Sequence, residues 1–419
     1  MAPPTIQAPP PAWRKARRAA SLLGFVLIAA WCAWWGASVS RGRLLFAERT
    51  WIRIPAFGVD FLRNTDRPTR VWMSGENAYG DKELLFCYPP IVTRLFSWTT
   101  LTTPERSLRI WIAVLAVLAA AGAVSAARWR AQLGLEPIPD SLAVALVLFS
   151  TPVLFAIERG NYDLLILPFL IAGVALSRRR SSRAETIAGL LLATAIWLKL
   201  YPGLLLLGLL ALGRFRLAAW TSTWLAVIGL SDLAELRQFL LNSAIHVQRA
   251  VYVARMAGGP PEAHPWNHPL GLTWQSLWGG TPLALVPGDV GAALLIGSLA
   301  AWLSWRVFRC EEGQRLALPY LLWLVAAGTF FPPVSNDYNL APLLLALLAV
   351  WSRRDPWSHV AVAALLAWWQ PVQLPLSGRV VLFMKLAGLI AVAFTIAHRA
   401  DDRHRGAAEE SPNQPGSGR

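Results

Sequence analysis

Charge is scarce in this chain, and so is cysteine. Only 15% of its 419 residues are Asp, Glu, Lys or Arg, too few to clothe a soluble globule of this length. The three cysteines, Cys32, Cys87 and Cys310, fall at spacings that give neither a disulfide framework nor a metal site. Cys32 and Cys310 read as span-associated thiols, and Cys87 as a free thiol in a loop. A Walker loop, a dinucleotide fingerprint and a Ser-His-Asp order are all missing. So is an Asp-x-Asp pair in the loops that would face outward, the device soluble nucleotide-sugar transferases use to hold a metal on a diphosphate. His246, His264 and His268 lack metal-ligand spacing, and neither a metal nor a cofactor is expected.

What is abundant is apolar residue: 55% of the chain, with a mean hydropathy of +0.43. It comes in blocks of roughly 15–20 residues, the length that crosses a bilayer core as a helix. The alternation of a membrane barrel is absent. The blocks lie near 19–38, 108–127, 139–157, 162–177, 184–198, 200–213, 217–231, 287–305, 316–331, 339–351, 357–374 and 380–398. They predict an all-α polytopic membrane protein of about twelve spans. The net charge of +15 does not indicate nucleic acid, because the basic residues sit in short clusters between the blocks. Arg14 to Arg18, Arg128 and Arg130, Arg178 to Arg183, Arg214 and Arg216, Arg306 and Arg309, Arg353-Arg354 and Arg399 to Arg405 make a positive-inside pattern.

That pattern places both termini in the cytoplasm, with a basic segment 1–18, a membrane domain 19–398 and a tail 399–419 whose end, Ala407 to Arg419, has a disordered composition. The N-terminal apolar run exceeds a signal peptide's core and reads as a retained span. Parity requires two short crossings between Arg183 and Arg214, with Lys199 at the outer turn. Two long outer segments, about 41–107 and 232–286, are Trp-bearing and amphipathic and predict helices lying in the headgroup plane. No internal repeat is evident, which counts against transporter folds built from duplicated halves.

On this topology the polar residues near spans collect on the outer face. Asp60, in the run Val59-Asp60-Phe61, is a candidate general base, with metal ligation or capping of a helix starting at Phe61 as alternatives. In Glu158-Arg159-Gly160-Asn161-Tyr162-Asp163, Arg159 and Asn161 are candidates to bind phosphate or sugar, unless the charges of the turn pair among themselves. Lys199, a lone cation between apolar runs, is a candidate phosphate ligand or a snorkelling side chain. Tyr201 follows it. Asn336 and Asp337 are either substrate contacts or a helix cap, and Tyr79 and Tyr88 either stack on sugar or belong to the interface.

With these residues the chain resembles the GT-C superfamily of membrane glycosyltransferases, and family 87 most. The matching features are Val59-Asp60-Phe61, Gly75-Glu-Asn77-Ala-Tyr79, Tyr88-Pro89-Pro90, Arg159-Gly160-Asn161, Ala188-Gly189-Leu190 leading to Leu198-Lys199-Leu-Tyr201-Pro202, and Asn267-His268-Pro-Leu270, in family order. The resemblance implies a GT-C-like bundle and inverting transfer of one sugar, mannose or another hexose, from a polyprenyl-phosphate co-substrate. The acceptor would be a lipid-linked sugar or glycan at the outer face of the cell membrane. It further implies Asp60 as the catalytic aspartate. The residues themselves make Lys199 and Arg159 the expected ligands of the donor phosphate, and Asn161, Tyr79, Tyr88, Tyr201, His268, Asn336 and Asp337 the expected substrate contacts. Membrane lipids, donor and acceptor are the expected partners. One departure is the turn Ser335-Asn336-Asp337-Tyr338, where family members often carry a His. A lipid-sugar flippase or other transporter is the alternative from another class.

Overall fold

The structure, a computed structural model, describes residues 11–40, 57–80, 86–179, 181–256, 270–310, 313–331, 337–366 and 378–409. Among these the chain is helical throughout, with no strand. Helix α1 (Pro11–Ser40) is followed by three short helices, α2 (Val59–Phe61), α3 (Arg67–Met73) and α4 (Ile91–Leu95). The bundle proper contains α5 (Pro104–Gln132), α6 (Asp140–Leu148), α7 (Thr151–Arg159), α8 (Ile166–Ser177), α9 (Ser182–Leu198), α10 (Leu205–Ala211) and α11 (Phe215–Leu230). Then come α12 (Leu233–Met256), α13 (Leu270–Trp278), α14 (Gly288–Arg309), α15 (Ala317–Gly328), α16 (Ala341–Val350), α17 (Pro356–Leu366) and α18 (Gly378–Glu409).

Local chemistry sets the ends of these helices. Helix α5 begins with Thr103, whose hydroxyl accepts from the Arg106 N–H at 3.4 Å, followed by Pro104 and Glu105 in the first turn. An N-cap hydroxyl, a proline without an N–H to leave unpaired and an acid at the positive end each favour initiation there. The expected single span 139–157 is broken. Helices α6 and α7 meet at 64°: Ser150 is extended, with φ −73° and ψ 141°, and Pro152 in the first turn of α7 has no N–H to donate to the turn before it. Ser150 bonds back to the Val147 carbonyl at 2.6 Å and closes the break.

Among the described residues, four helical stretches are long and apolar enough to cross a membrane: Lys15–Trp34, Pro104–Gln132, Gly288–Arg309 and Val380–Asp401. The number rises to six if the bent pairs α6–α7 and α11–α12 each count once. Tyr162–Ser177, Tyr201–Ala211 and Ala341–Val350 are apolar but shorter. Helices α9 and α11 run parallel, since a Cβ on Gly189 would meet Trp220 while one on Gly229 would meet Trp197. The chain therefore returns between them through α10, and the reversal occurs at Lys199 and Leu200.

One end of the bundle is tied together by arginines. Arg214 reaches the Ser177 carbonyl, Arg178 reaches Gln132, and Arg130 reaches the Trp351 carbonyl. Trp129 Nε1 donates to the Arg315 carbonyl at 2.7 Å. These bonds tie the ends of α5, α8, α10 and α16 into one basic layer. The opposite end carries the N-terminus of α5, the C-termini of α7 and α9 and the polar residues described next.

Candidate active site

Two glycines bring the segment around Asp60 onto the bundle. Gly58 and Gly160 have φ of 72° and 66°, a region where a Cβ is strained. A Cβ on Gly160 would stand 2.7 Å from the Phe61 Cβ. The Gly58 N–H donates to the Glu158 carbonyl at 2.8 Å, so the start of α2 presses on the end of α7. Phe61 is fully buried, its ring 6.0 Å from Trp111 and 6.2 Å from Phe96. Trp111 Nε1 donates to the Gly160 carbonyl at 2.9 Å and fixes the turn from below.

This packing delivers Asp60 to Arg159 and Asn161. Arg159 Nη2 donates to Asp60 Oδ1 at 2.6 Å, and Asn161 Nδ2 donates to Oδ2 at 3.0 Å. The Asn161 amide is oriented by the backbone, because its Oδ1 accepts the Asp163 N–H at 3.1 Å. Asp60 is not the cap of a helix starting at Phe61. The helix starts at Val59 with Gly58 before it, and the carboxylate leaves the helix for side chains ninety-nine and a hundred and one residues away. Two charges of the 158–163 turn reach beyond it: Arg159 pairs with Asp60 and Asp163 with Lys199.

Lys199 ends α9 in an extended conformation, with φ −150° and ψ 117°. Its ammonium lies 3.3 Å from Asp163 Oδ1, 4.7 Å from the centroid of the Tyr88 ring and 5.0 Å from that of Tyr162. A cation between two aromatic faces gains from both ring quadrupoles when desolvated. The two rings meet edge to face at 5.3 Å. Tyr79 and Tyr88 belong to one braced loop, with the Tyr79 hydroxyl donating to the Tyr88 carbonyl at 2.7 Å and its ring 4.9 Å from Phe86. Burial raises both phenols well above their ordinary range, so each is a neutral donor. The Cys87 thiol between them is pushed up to about 11 by burial, with Lys199 pulling the other way.

Asp60, Arg159, Asn161, Asp163, Lys199, Tyr88 and Tyr79 thus form one connected assembly. Tyr201 opens a short turn, Tyr201–Leu204, packed on the end of α15, where a Cβ on Gly328 would meet its carbonyl. His268 and Asn336 lie outside the described residues. The backbone of Asp337 starts a turn, Asp337–Leu340, that packs against α7, the helix ending in Arg159. Among the described residues no group of three His, Cys, Asp or Glu side chains gathers as a metal site.

Sequence reasoning missed the clamp that holds the loop. Asn242 Nδ2 on α12 donates to the carbonyls of Tyr79 at 3.1 Å and Phe86 at 2.9 Å. Glu235 accepts from Trp72 Nε1 at 2.8 Å, and Arg94 bridges Asp232 and Glu235 at 3.1 and 3.2 Å. The signal was there in the helical spacing: Glu235 and Asn242, seven apart, share one face of α12. Lys385, fully buried on α18, was missed too, though it is a lone cation in an apolar run. The Trp98 ring lies 6.5 Å from both Phe61 and Phe96.

A sequence model of glycosyltransferase family 87 matches residues 86–322, more than half of the chain. The chain belongs to glycosyltransferase family 87. No curated protein and no solved structure matches it. In this family 87 glycosyltransferase the matched stretch holds Tyr88, Arg159, Asn161, Asp163 and Lys199, while Asp60 lies upstream of it. The geometry joins the upstream carboxylate to the matched stretch. Asp60 and Asp163 oppose Arg159 and Lys199, so the four charges balance when all are ionised. A carboxylate has about four lone-pair positions, and one hydrogen bond to each Asp60 oxygen leaves room to accept another proton. An arriving anion, by contrast, must compete with Asp60 and Asp163 for the two cations.

Proposed function

We propose that the chain is an inverting transferase that moves one hexose, mannose in the simplest case, from a polyprenyl-phosphate donor to a lipid-linked or glycan acceptor. The reaction takes place at the outer face of the cell membrane, in a GT-C-like bundle of about twelve spans, several of them short or bent. Helices of the two outer segments lie along the headgroup plane, and both termini are cytoplasmic. The gathering of basic residues at the bundle end opposite Asp60 supports that orientation.

The observation that carries the reading is the Asp60 carboxylate held between Arg159 and Asn161. Asp60 takes the proton of the acceptor hydroxyl as its oxygen attacks the anomeric carbon. The bond from that carbon to the phosphate oxygen breaks on the opposite side, and polyprenyl phosphate leaves with the electron pair. Arg159 and Lys199 stabilise the departing phosphate, each turning part of its hydrogen bonding from its carboxylate to the phosphate. As Arg159 turns, one Asp60 oxygen is released for the incoming hydroxyl. Asn161 keeps the carboxylate in place, and Tyr88 and Tyr201 border the sugar. Positioning and charge stabilisation supply most of the barrier reduction.

The test is membranes supplied with labelled polyprenyl-phosphate hexoses, with products read by lipid mass spectrometry and anomeric NMR. The reading predicts an acceptor one sugar heavier, with anomeric configuration opposite to the donor's. Retained configuration contradicts the mechanism. A labelled donor that crosses the membrane without product is the result a flippase gives.

A further inference from the structure

A second site lies at the far end of the bundle. Leu108, beside Gly58, and Arg130 are both on α5, and the twenty-two steps from one to the other span about 33 Å at about 1.5 Å per residue. At the Arg130 end a cavity of about 420 Å³ opens between α1, α6, α16 and α17. That volume falls within the roughly 300–1,000 Å³ of ordinary ligand sites. Its walls are almost wholly aliphatic, with Leu142 and Leu146 from α6, Leu344 and Leu348 from α16 and Leu365 from α17.

The polar lining is concentrated in four charged side chains, Arg17, Arg130, Arg353 and Glu136. Three guanidinium groups against one carboxylate leave two positive charges. Arg130 is 1% exposed. Its head is held by the Glu136 carbonyl at 2.5 Å and the Trp351 carbonyl, with the Trp351 ring 5.3 Å away. Arg353 lies 3.6 Å from Glu136. A buried, backbone-anchored guanidinium at the root of an aliphatic cleft is a costly arrangement, and it matches a ligand with an anionic head and a hydrocarbon tail. Basic pockets between helices at the cytoplasmic side meet phosphate headgroups in this way.

We infer that this cavity binds one anionic phospholipid of the leaflet opposite the transfer site, its phosphate against Arg17, Arg130 and Arg353 and one acyl chain along α6 and α16. The inference rests on the membrane reading of the chain and is independent of Asp60. Lipid bound here fastens α1, which is otherwise little buried along its apolar stretch, to the bundle.

The experiment uses the full chain purified in a neutral detergent, with its melting temperature recorded against added phosphatidylglycerol, phosphatidylcholine or inorganic phosphate. Arg130 ties two loops and its loss would confuse folding with binding, so the variants are the double Arg17→Glu/Arg353→Glu and the cavity-filling Leu146→Trp. The expected result is a rise of about 3 °C or more with phosphatidylglycerol alone. Native mass spectrometry should show that lipid retained by the parent chain and reduced at least about tenfold in both variants, the effect of losing about 1.4 kcal/mol of binding. Equal shifts with phosphatidylcholine, or a full shift with inorganic phosphate, overturn the inference. So does unchanged retention in the charge-reversed variant. Retention that appears only when residues 1–10 are deleted assigns the cavity to that segment and also overturns it.

Discussion

Arg159 Nη2 and Asp60 Oδ1 stand 2.6 Å apart across ninety-nine residues of chain, and Asn161 holds the other oxygen of the same carboxylate. The acid proposed to take the acceptor proton therefore rests on the cation proposed to meet the donor phosphate. Each group is committed to the other until a substrate arrives.

That commitment predicts strong coupling. Arg159→Gln leaves Asp60 buried with Asn161 as its remaining partner among those two. It should lower stability by about 1–3 kcal/mol, below the full cost of breaking a buried pair because Arg159 is a quarter exposed. In the double variant Asp60→Asn/Arg159→Gln much of that loss should return, as measured by thermal melting in detergent. Turnover should not return. Additive stability losses would mean that the pair is not energetically coupled.

The Lys199–Asp163 pair separates structure from chemistry in the same way. Lys199→Met leaves the Asp163 carboxylate, 2% exposed, without its ammonium partner, and should melt earlier than the parent. Adding Asp163→Asn restores the melting temperature, since a buried pair removed together costs far less than one partner removed alone. Transfer from the lipid donor should stay depressed in that double variant by roughly tenfold or more, the order of a lost charge contact to the leaving group. Recovery of full transfer would reduce Lys199 to a structural cation.

Gly160 carries the contact between the two segments. Gly160→Ala puts a methyl 2.7 Å from the Phe61 Cβ at a φ of 66°, and the strain of about 1–3 kcal/mol falls directly beneath Asp60. The expected outcome is an earlier melt together with loss of transfer. Gly75→Ala carries the same positive-φ strain but has nothing near its added Cβ, so it should also melt earlier while losing little transfer.

Cys87 reports on the braced loop. With its thiol pushed up to about 11 by burial, only about one molecule in a thousand carries the reactive thiolate at pH 8. In a Cys32→Ser/Cys310→Ser background, maleimide labelling at pH 8 should be at least tenfold slower in folded than in denatured protein. Because the group is neutral until pH approaches its raised value, labelling should accelerate toward pH 11. Asn242→Ala, which removes the donor to the Tyr79 and Phe86 carbonyls, should speed it at pH 8. Fast labelling of the parent at pH 8 would contradict the burial.

Much of the candidate site's polar assembly was legible because charge in an apolar chain is conspicuous. Asp60, Arg159, Asn161 and Lys199 stand out against their neighbours, and the reversal at Lys199 follows from where the next arginines lie. Their partners were not legible. Nothing local says that Asp60 meets Arg159 and Asn161, a contact set by how Gly58 and Gly160 let two distant segments touch, or that Asp163 meets Lys199 at the end of α9. Tyr79 shows another limit: an aromatic residue in a loop looks available to substrate until its hydroxyl is found on the Tyr88 carbonyl. The break at Ser150-Thr151-Pro152 was missed for a different reason. Hydropathy sums apolar side chains and ignores backbone direction, although Pro152 marked the place. The clamp through Asn242 and Glu235 was hidden because α12 carries these polar residues within an otherwise amphipathic pattern.

The most direct test is the turnover of Asp60→Asn, measured by mass spectrometry of the glycosylated acceptor with labelled polyprenyl-phosphate sugar, in protein shown by its melting curve to be folded. Asn keeps the shape of the side chain and an oxygen for one hydrogen bond but has no basic carboxylate. The account predicts a loss of roughly a hundredfold or more, the scale of a removed general base. Turnover within a few-fold of the parent, from the folded variant, would contradict it.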